Sequence, residues 1–155
     1  MTEKTIERVH SALDDFRIEL PSWGFEDTGT RVGKFLQDGA AIDLADKLSD
    51  AGEVHRVTGS CPKVATHVLW DFVEGKAPSD IVALAKAHGV HLGSINPNLF
   101  QDQEYRLGSL CNVDPAIRET AAQHVRDSIK LGQDVGSDVL TLWLADGTSY
   151  PGQDS

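Results

Sequence analysis

Residues 139–144, Val-Leu-Thr-Leu-Trp-Leu, are a near-continuous apolar run, with a turn, Ala145-Asp146-Gly147, directly behind them. A short run of this kind predicts a strand buried on both faces, which is how strands sit in parallel sheets. Such a strand needs helices over it and a neighbour on its far side. What precedes it is an alternation of helical and extended patterns that fits this demand.

Ile6, Val9, Leu13 and Phe16 recur at helical spacing and predict an amphipathic helix over 5–20, ended by Pro21 and packed on another element. Trp23 and Phe25 alternate within a glycine-rich stretch (Gly24, Gly29, Gly33, Gly39) and predict a short strand followed by a long loop. A helix follows, with Ile42, Ala45 and Leu48 on one face and Leu44 beside them. Asp43 and Asp46 stand near its positive end, and Gly52 is its stop. Residues 53–58 admit a short strand, and 65–70 predict another. Ser79-Asp80 caps a helix through Ile81, Val82, Leu84 and Ala85 that stops at Gly89. A strand over 90–95 ends at Asn96-Pro97-Asn98. The longest helix then starts at Asp114-Pro115 and carries Ile117, Ala121, Val125, Ile129 and Leu131 toward Gly136.

Strands alternating with helices mean an α/β fold with a parallel sheet and helices outside it. No internal repeat, low-complexity tract or linker divides the chain. Residues 1–155 therefore read as one unit, a leading helix over 1–20 and the strands with their helices over 21–155. At 155 residues the chain is long enough for one domain with a real core. It falls short of the about 250 residues of a complete (β/α)8 barrel. The last strand has no helix after it, so the sequence reads as interrupted.

The net charge of −10, spread along the chain with no basic block, repels phosphate backbones and anionic lipid. Nucleic acid and membrane partners are not expected; a neutral or metal-bound small molecule is. The N-terminus lacks the pattern of a signal peptide, and no apolar run approaches the roughly 20 residues of a membrane span. The two cysteines, Cys61 and Cys111, lie in separate segments without a CxxC. Two reduced, buried thiols in a cytoplasmic protein are the expected reading.

In parallel α/β folds the chemistry gathers at the C-terminal ends of the strands. Four places qualify: Trp23 with Phe25 before Glu26-Asp27; His67 with Trp70 and Asp71; Asn96 and Asn98 with Phe100; and Trp143 with Asp146 and Tyr150. Indole faces can cover the C–H faces of a sugar while His, Asn and Asp hydrogen-bond its hydroxyls. Each feature also has a plainer reading. A lone histidine such as His67 in an apolar strand is most often a satisfied core residue, and Trp70 and Trp143 serve as packing. Asn96-Pro97-Asn98 and Asp146-Gly147 serve as turns. Glu26-Asp27 and the pair Asp43 and Asp46 read as solvated or capping residues. His88 and His91 straddle Gly89 and would not share a face, so no metal ligand set is readable. No catalytic residue is assigned, because neither cysteine has a readable base partner and no phosphate-binding or nucleophile motif occurs.

Several stretches together resemble sugar isomerases of the L-rhamnose isomerase type. They are Ser22-Trp23-Gly24-Phe25 with Gly29-Thr30-Arg31, His67-Val68-Leu69-Trp70-Asp71, and Ile95-Asn96-Pro97-Asn98-Leu99-Phe100-Gln101-Asp102. Residues 105–110 and the run Trp143-Leu144-Ala145-Asp146-Gly147-Thr148-Ser149-Tyr150-Pro151-Gly152-Gln153 complete the set. The resemblance implies the first four βα units of a (β/α)8 TIM barrel of the xylose-isomerase-like kind, behind a leading helix. It implies metal-dependent aldose–ketose isomerisation, with L-rhamnose to L-rhamnulose favoured, Mn²⁺ as cofactor and a homotetrameric parent enzyme. His67 would contact the sugar, Trp23, Trp70 and Trp143 would wall the pocket, and Asn96 and Phe100 would add to it. The family's metal-binding Glu, Asp and His residues lie on later strands without counterpart here. The chain alone is therefore expected to be an inactive N-terminal part. A related isomerase or epimerase for another sugar, and a self-associating sugar-binding half barrel, are the alternatives.

Overall fold

The computed structural model describes residues 2–26, 38–73, 75–144 and 146. The expectations that rest on Asp27, Gly29-Thr30-Arg31, Gly33, Ala145 and residues 147–153, Tyr150 among them, lie outside this set.

Three parallel strands form the sheet: β1 (Glu19–Pro21), β2 (Lys63–His67) and β3 (His91–Asn96), in the order β1-β2-β3. Between them come α2 (Leu44–Thr58), the single turn α3 (Val68–Asp71) and α4 (Pro78–Ala87). α1 (Glu3–Asp14) precedes the sheet, and α5 (Pro115–Val135) follows β3. The expected α/β alternation and parallel pairing are present. Leu44, Leu48 and Ala51 of α2, Ile81 and Ala85 of α4, and Val135 of α5 share one core with Val64, Leu92 and Ile95 of the strands. The helices thus cover one face of the sheet together. Side chains alternate along a strand. Val64 is in the helix-covered core, so Lys63, Ala65 and His67 belong to the opposite face.

β3 carries a bulge. Val64 pairs with Leu92 but Thr66 pairs with Ile95, so Gly93 and Ser94 stand opposite Ala65 alone. A bulge re-aims side chains. Here it brings Ser94 under Glu19, whose carboxylate accepts from the Ser94 Oγ (2.7 Å) and the Ser94 N–H, tying β1 to β3 across β2.

Several elements differ from expectation. α1 ends at Asp14 rather than reaching Pro21. Among the described residues none of its stripe is buried, with Ile6, Val9, Leu13 and Phe16 at 42–65% exposure. Trp23 lies in a 3-10 turn (Ser22–Gly24), not on a strand. Its alternation with Phe25 has another cause: Ser22 is drawn inward by a hydrogen bond, and Phe25 packs on the core. Gly52 is inside α2, which runs through 53–58 and stops at Gly59 with φ of 68°. The glycine is needed for closeness instead, because a Cβ there would strike the backbone carbonyl of His88. The strand expected over 65–70 stops at His67, and Trp70 sits on α3. α4 begins at Pro78 with Ala77 as an unbonded cap, not at Ser79-Asp80.

Among the described residues, 139–144 make one bridge, Leu140 beside Ile95. The Ile95 N–H donates to the Val139 carbonyl (3.0 Å) and the Thr141 N–H to the Ile95 carbonyl (2.9 Å), so this edge is parallel too. Val139, Leu142, Trp143 and Leu144 are 44–51% exposed. The run is therefore a parallel edge segment, not a strand buried on both faces. Cys61 is buried and Cys111 exposed, both free, which corrects the expectation of two buried thiols. No described helix is long and apolar enough to cross a membrane.

Candidate functional site

His67 closes β2, and its ring caps α3. The Leu69 N–H donates to its Nδ1 (3.2 Å), a side-chain cap that satisfies one of the unpaired donors of a helix start. An imidazole whose Nδ1 accepts carries its proton on Nε2 when neutral. Burial holds it neutral, pushing its pKa from 6.5 to about 4. Asp71 pulls the other way, and His124 and Lys47 reinforce the lowering. The Nε2 is buried and has no hydrogen-bond partner among the described residues. A buried N–H donor left open is costly, and in native proteins it usually marks a ligand or water position.

Aromatic rings enclose that donor. Trp70 stacks on His67 with ring centroids 3.6 Å apart and planes inclined by 16°. Trp23 meets His67 edge-on at 6.4 Å and Trp70 at 6.0 Å. Phe100, from the loop after β3, meets His67 edge-on at 6.0 Å. Asn96 pairs with His67 in the sheet register. Its Nδ2 donates to the carbonyls of Thr66 (3.0 Å) and Ser94 (3.4 Å), and its Oδ1 accepts from the Trp143 Nε1–H (3.2 Å). The structure therefore brings His67, Trp23, Trp70, Phe100, Asn96 and Trp143 together at one end of the sheet. The Asn96 amide is committed to the fold, and its part is to hold Trp143 in place.

Behind the rings lies a charged group that sequence reasoning missed. Lys47 of α2 is buried, with its Nζ 3.2 Å from Asp71 Oδ1 and 3.3 Å from Glu26 Oε1. The other Asp71 oxygen accepts from the Ser22 Oγ–H (2.5 Å) and the His67 N–H (2.8 Å). Glu26, expected to be solvated, is instead a partner in this cluster. One signal in the sequence marks Lys47. Leu44, Lys47, Leu48 and Ala51 stand at i, i+3, i+4 and i+7, so the lysine interrupts the apolar stripe of α2. Asp43 behaves as the cap it resembles, accepting from the Asp46 N–H (3.0 Å).

Asp146 and Asn98 serve the loops. Asp146 accepts from the Ser109 N–H (2.7 Å), the Ser109 Oγ–H (2.6 Å) and the Cys111 N–H (2.8 Å). Desolvation works to raise its pKa, but the hydrogen bonds from Ser109, Cys111 and Leu110 outweigh it and hold the carboxyl below its ordinary value. Asn98 donates to Asp102 Oδ2 (3.0 Å) and accepts from the Gln101 N–H (3.3 Å), as a turn asparagine does. Its own N–H donates to His124 Nε2 (3.0 Å).

The Mn²⁺ that the resemblance implies does not fit what is present. Among the described residues no three His, Cys, Asp or Glu side chains converge on a metal position. Asp71 is committed to Lys47, Ser22 and His67, Asp146 to Ser109 and Cys111, and the open His67 nitrogen is a donor rather than a lone pair. What the arrangement can do is bind a polar, uncharged molecule, with flat aromatic walls around one buried N–H.

No family model matches the chain. It is 31% identical over 153 residues to a probable sugar isomerase of Mesorhizobium japonicum, a match covering 96% of this chain and 35% of that protein. It is 33% identical over 156 residues to a probable sugar isomerase of Rhizobium meliloti, with the same coverage of 96% and 35%. The chain thus spans about a third of the length of the curated relatives it matches.

Proposed function

We propose that this chain is the sugar-recognising part of an aldose–ketose isomerase of the L-rhamnose isomerase type, built as the first four βα units of a (β/α)8 barrel. The likeness to two probable sugar isomerases over nearly its whole length supports the sugar. The strand order supports the barrel. Parallel strands succeed one another in chain order, with a fourth parallel edge at Leu140 and helices on one face. A doubly wound sheet would reverse its order and carry helices on both faces.

One observation carries the reading, the open Nε2–H of His67 inside its aromatic surround. A neutral donor there hydrogen-bonds a sugar oxygen, ring or carbonyl, while the indole faces of Trp23 and Trp70 cover C–H groups. Held neutral, His67 presents this donor without placing a charge in the pocket. The isomerisation itself is assigned elsewhere, since the metal expected of such an enzyme has no donor set among the described residues.

The chain should therefore bind L-rhamnose without turning it over. Titration with L-rhamnose, L-rhamnulose and a panel of other aldoses, followed by tryptophan fluorescence and calorimetry, tests this. His67→Asn should weaken binding about tenfold, or ~1.4 kcal/mol, with little loss of thermal stability. Absence of binding by the wild-type chain would overturn the sugar reading, and Mn²⁺-dependent conversion would overturn the division of labour. A preference for another aldose in the panel would favour a related isomerase or epimerase.

A second reading, self-association of a sugar-binding half barrel, is favoured by the uncovered Val139, Leu142 and Leu144 and by the bare stripe of α1. A monodisperse dimer that binds sugar would support it. Tetramers belong to the parent enzyme in this proposal.

A further inference from the structure

A buried ammonium needs a reason. Lys47 is 1% exposed, at a position of α2 where leucine or methionine would pack against the same core. Desolvating a charge is unfavourable, and buried ion pairs can often be replaced by apolar residues of similar size without loss of stability. Stability alone therefore does not account for lysine here. Its two carboxylate partners suggest what does. Asp71 is fully buried, and its Oδ2 joins segments that each carry one ring of the aromatic cluster. Ser22, which donates to it, precedes Trp23. The His67 N–H, which also donates to it, belongs to the central imidazole. Asp71 itself follows Trp70. Lys47 bonds the other oxygen of this carboxylate and so keeps it in place to accept from both.

We propose that Lys47 is a positioning residue: through Asp71 it fixes Trp23, His67 and Trp70 relative to one another, and with them the His67 tautomer that presents Nε2–H. The link to the tautomer is geometric. Asp71 Oδ2 and Leu69 N–H close the two ends of the turn that begins at His67, one through the His67 backbone and one through its Nδ1. If the carboxylate leaves, the turn loosens, the Leu69 N–H no longer marks Nδ1 as the acceptor, and both tautomers become populated. This inference rests on the sugar-binding reading only for its purpose, because the tautomer can be measured without sugar.

The experiment is a long-range ¹H–¹⁵N correlation spectrum of the histidine rings in the whole 155-residue chain. It is recorded for wild type, Lys47→Arg, Lys47→Met and the uncharged pair Lys47→Met with Asp71→Asn. Wild type and Lys47→Arg should show His67 as a single Nε2–H tautomer. Lys47→Met, or the double variant if the single one does not fold, should show both tautomers. L-rhamnose affinity should fall about tenfold in the same variants, equivalent to ~1.4 kcal/mol. A folded Lys47→Met or double variant that keeps one tautomer overturns the proposal. Loss of the fold in both assigns the group to stability and overturns it as well. A wild-type chain that binds no sugar but shows the tautomer change retains the positioning role and removes the sugar reading.

Discussion

Acidification from pH 7 to pH 5 should cost the wild-type chain stability that a His67→Asn variant does not lose. The ring's pKa is 6.5 in an ordinary environment and about 4 here, because burial disfavours the imidazolium. Between those values the unfolded chain takes up a proton that the folded chain refuses, so stability falls as pH falls through 6.5 and the loss levels off below about 4. One pKa unit corresponds to about 1.4 kcal/mol. Integrated from pH 7 to pH 5, the penalty is about 2 kcal/mol as a ceiling, and it approaches about 3 kcal/mol below pH 4. For a chain of this length that is a fall of about 4–8 °C in Tm. Asparagine is the right comparison because its Oδ1 can still accept from the Leu69 N–H in place of Nδ1. The chain has six histidines and 24 acidic residues. The difference between the two proteins isolates one of them. Urea unfolding at pH 7, 6 and 5, followed by circular dichroism, gives that difference directly. Parallel pH profiles for the two proteins would refute the claim that His67 is held neutral.

Two further substitutions probe the frame around the site. Gly52→Ala should destabilise the chain by about 1–3 kcal/mol in urea unfolding, although alanine is the better helix former by about 1 kcal/mol, because its Cβ would strike the His88 carbonyl. Asp146→Asn should release the loop around Ser109, with about tenfold faster amide exchange at Ser109 and Cys111 from the loss of ~1.4 kcal/mol of hydrogen bonding. In the wild type this anchor persists below the ordinary carboxyl pKa of 3.8 and is lost only as pH falls through the lowered value.

Local signals are legible where they act locally. Asp114-Pro115 and Gly136 bracket α5 as expected, since a cap, a proline at the first turn and a left-handed glycine do their work within one turn of helix. Gly52 shows the limit of the same logic. A glycine inside a helical pattern reads as a stop, but its purpose was set by a carbonyl in another helix, at His88. Residues 53–58 hold two valines and a threonine, which admit a strand, but Val54 and Val57 stand three apart and the segment continues α2 as helix. For 139–144 the apolar composition gave the right edge and direction but not the burial, because a strand is covered only by what lies beyond it.

The candidate site divides along the same line. That His67, Trp23, Trp70, Phe100, Asn96 and Trp143 lie together is legible because strand ends are places a topology assigns. The bonds that make those residues a site are non-local. Ser22 reaches Asp71 across 49 positions, Lys47 reaches it across 24, and Trp143 reaches Asn96 across 47. No spacing rule reports such pairs. A charge out of place in an apolar stripe does report one member, because burying lysine is tolerable only where a carboxylate is already waiting. Lys47 among Leu44, Leu48 and Ala51 is that case. Read this way, the anomaly on α2 points to Asp71. Asp71 in turn holds the backbone of His67, whose two readings part at the ring nitrogens. A satisfied core histidine would have both nitrogens bonded. This one has its backbone N–H and Nδ1 bound and its Nε2–H without a partner among the described residues, which is what the proposed sugar-binding role requires.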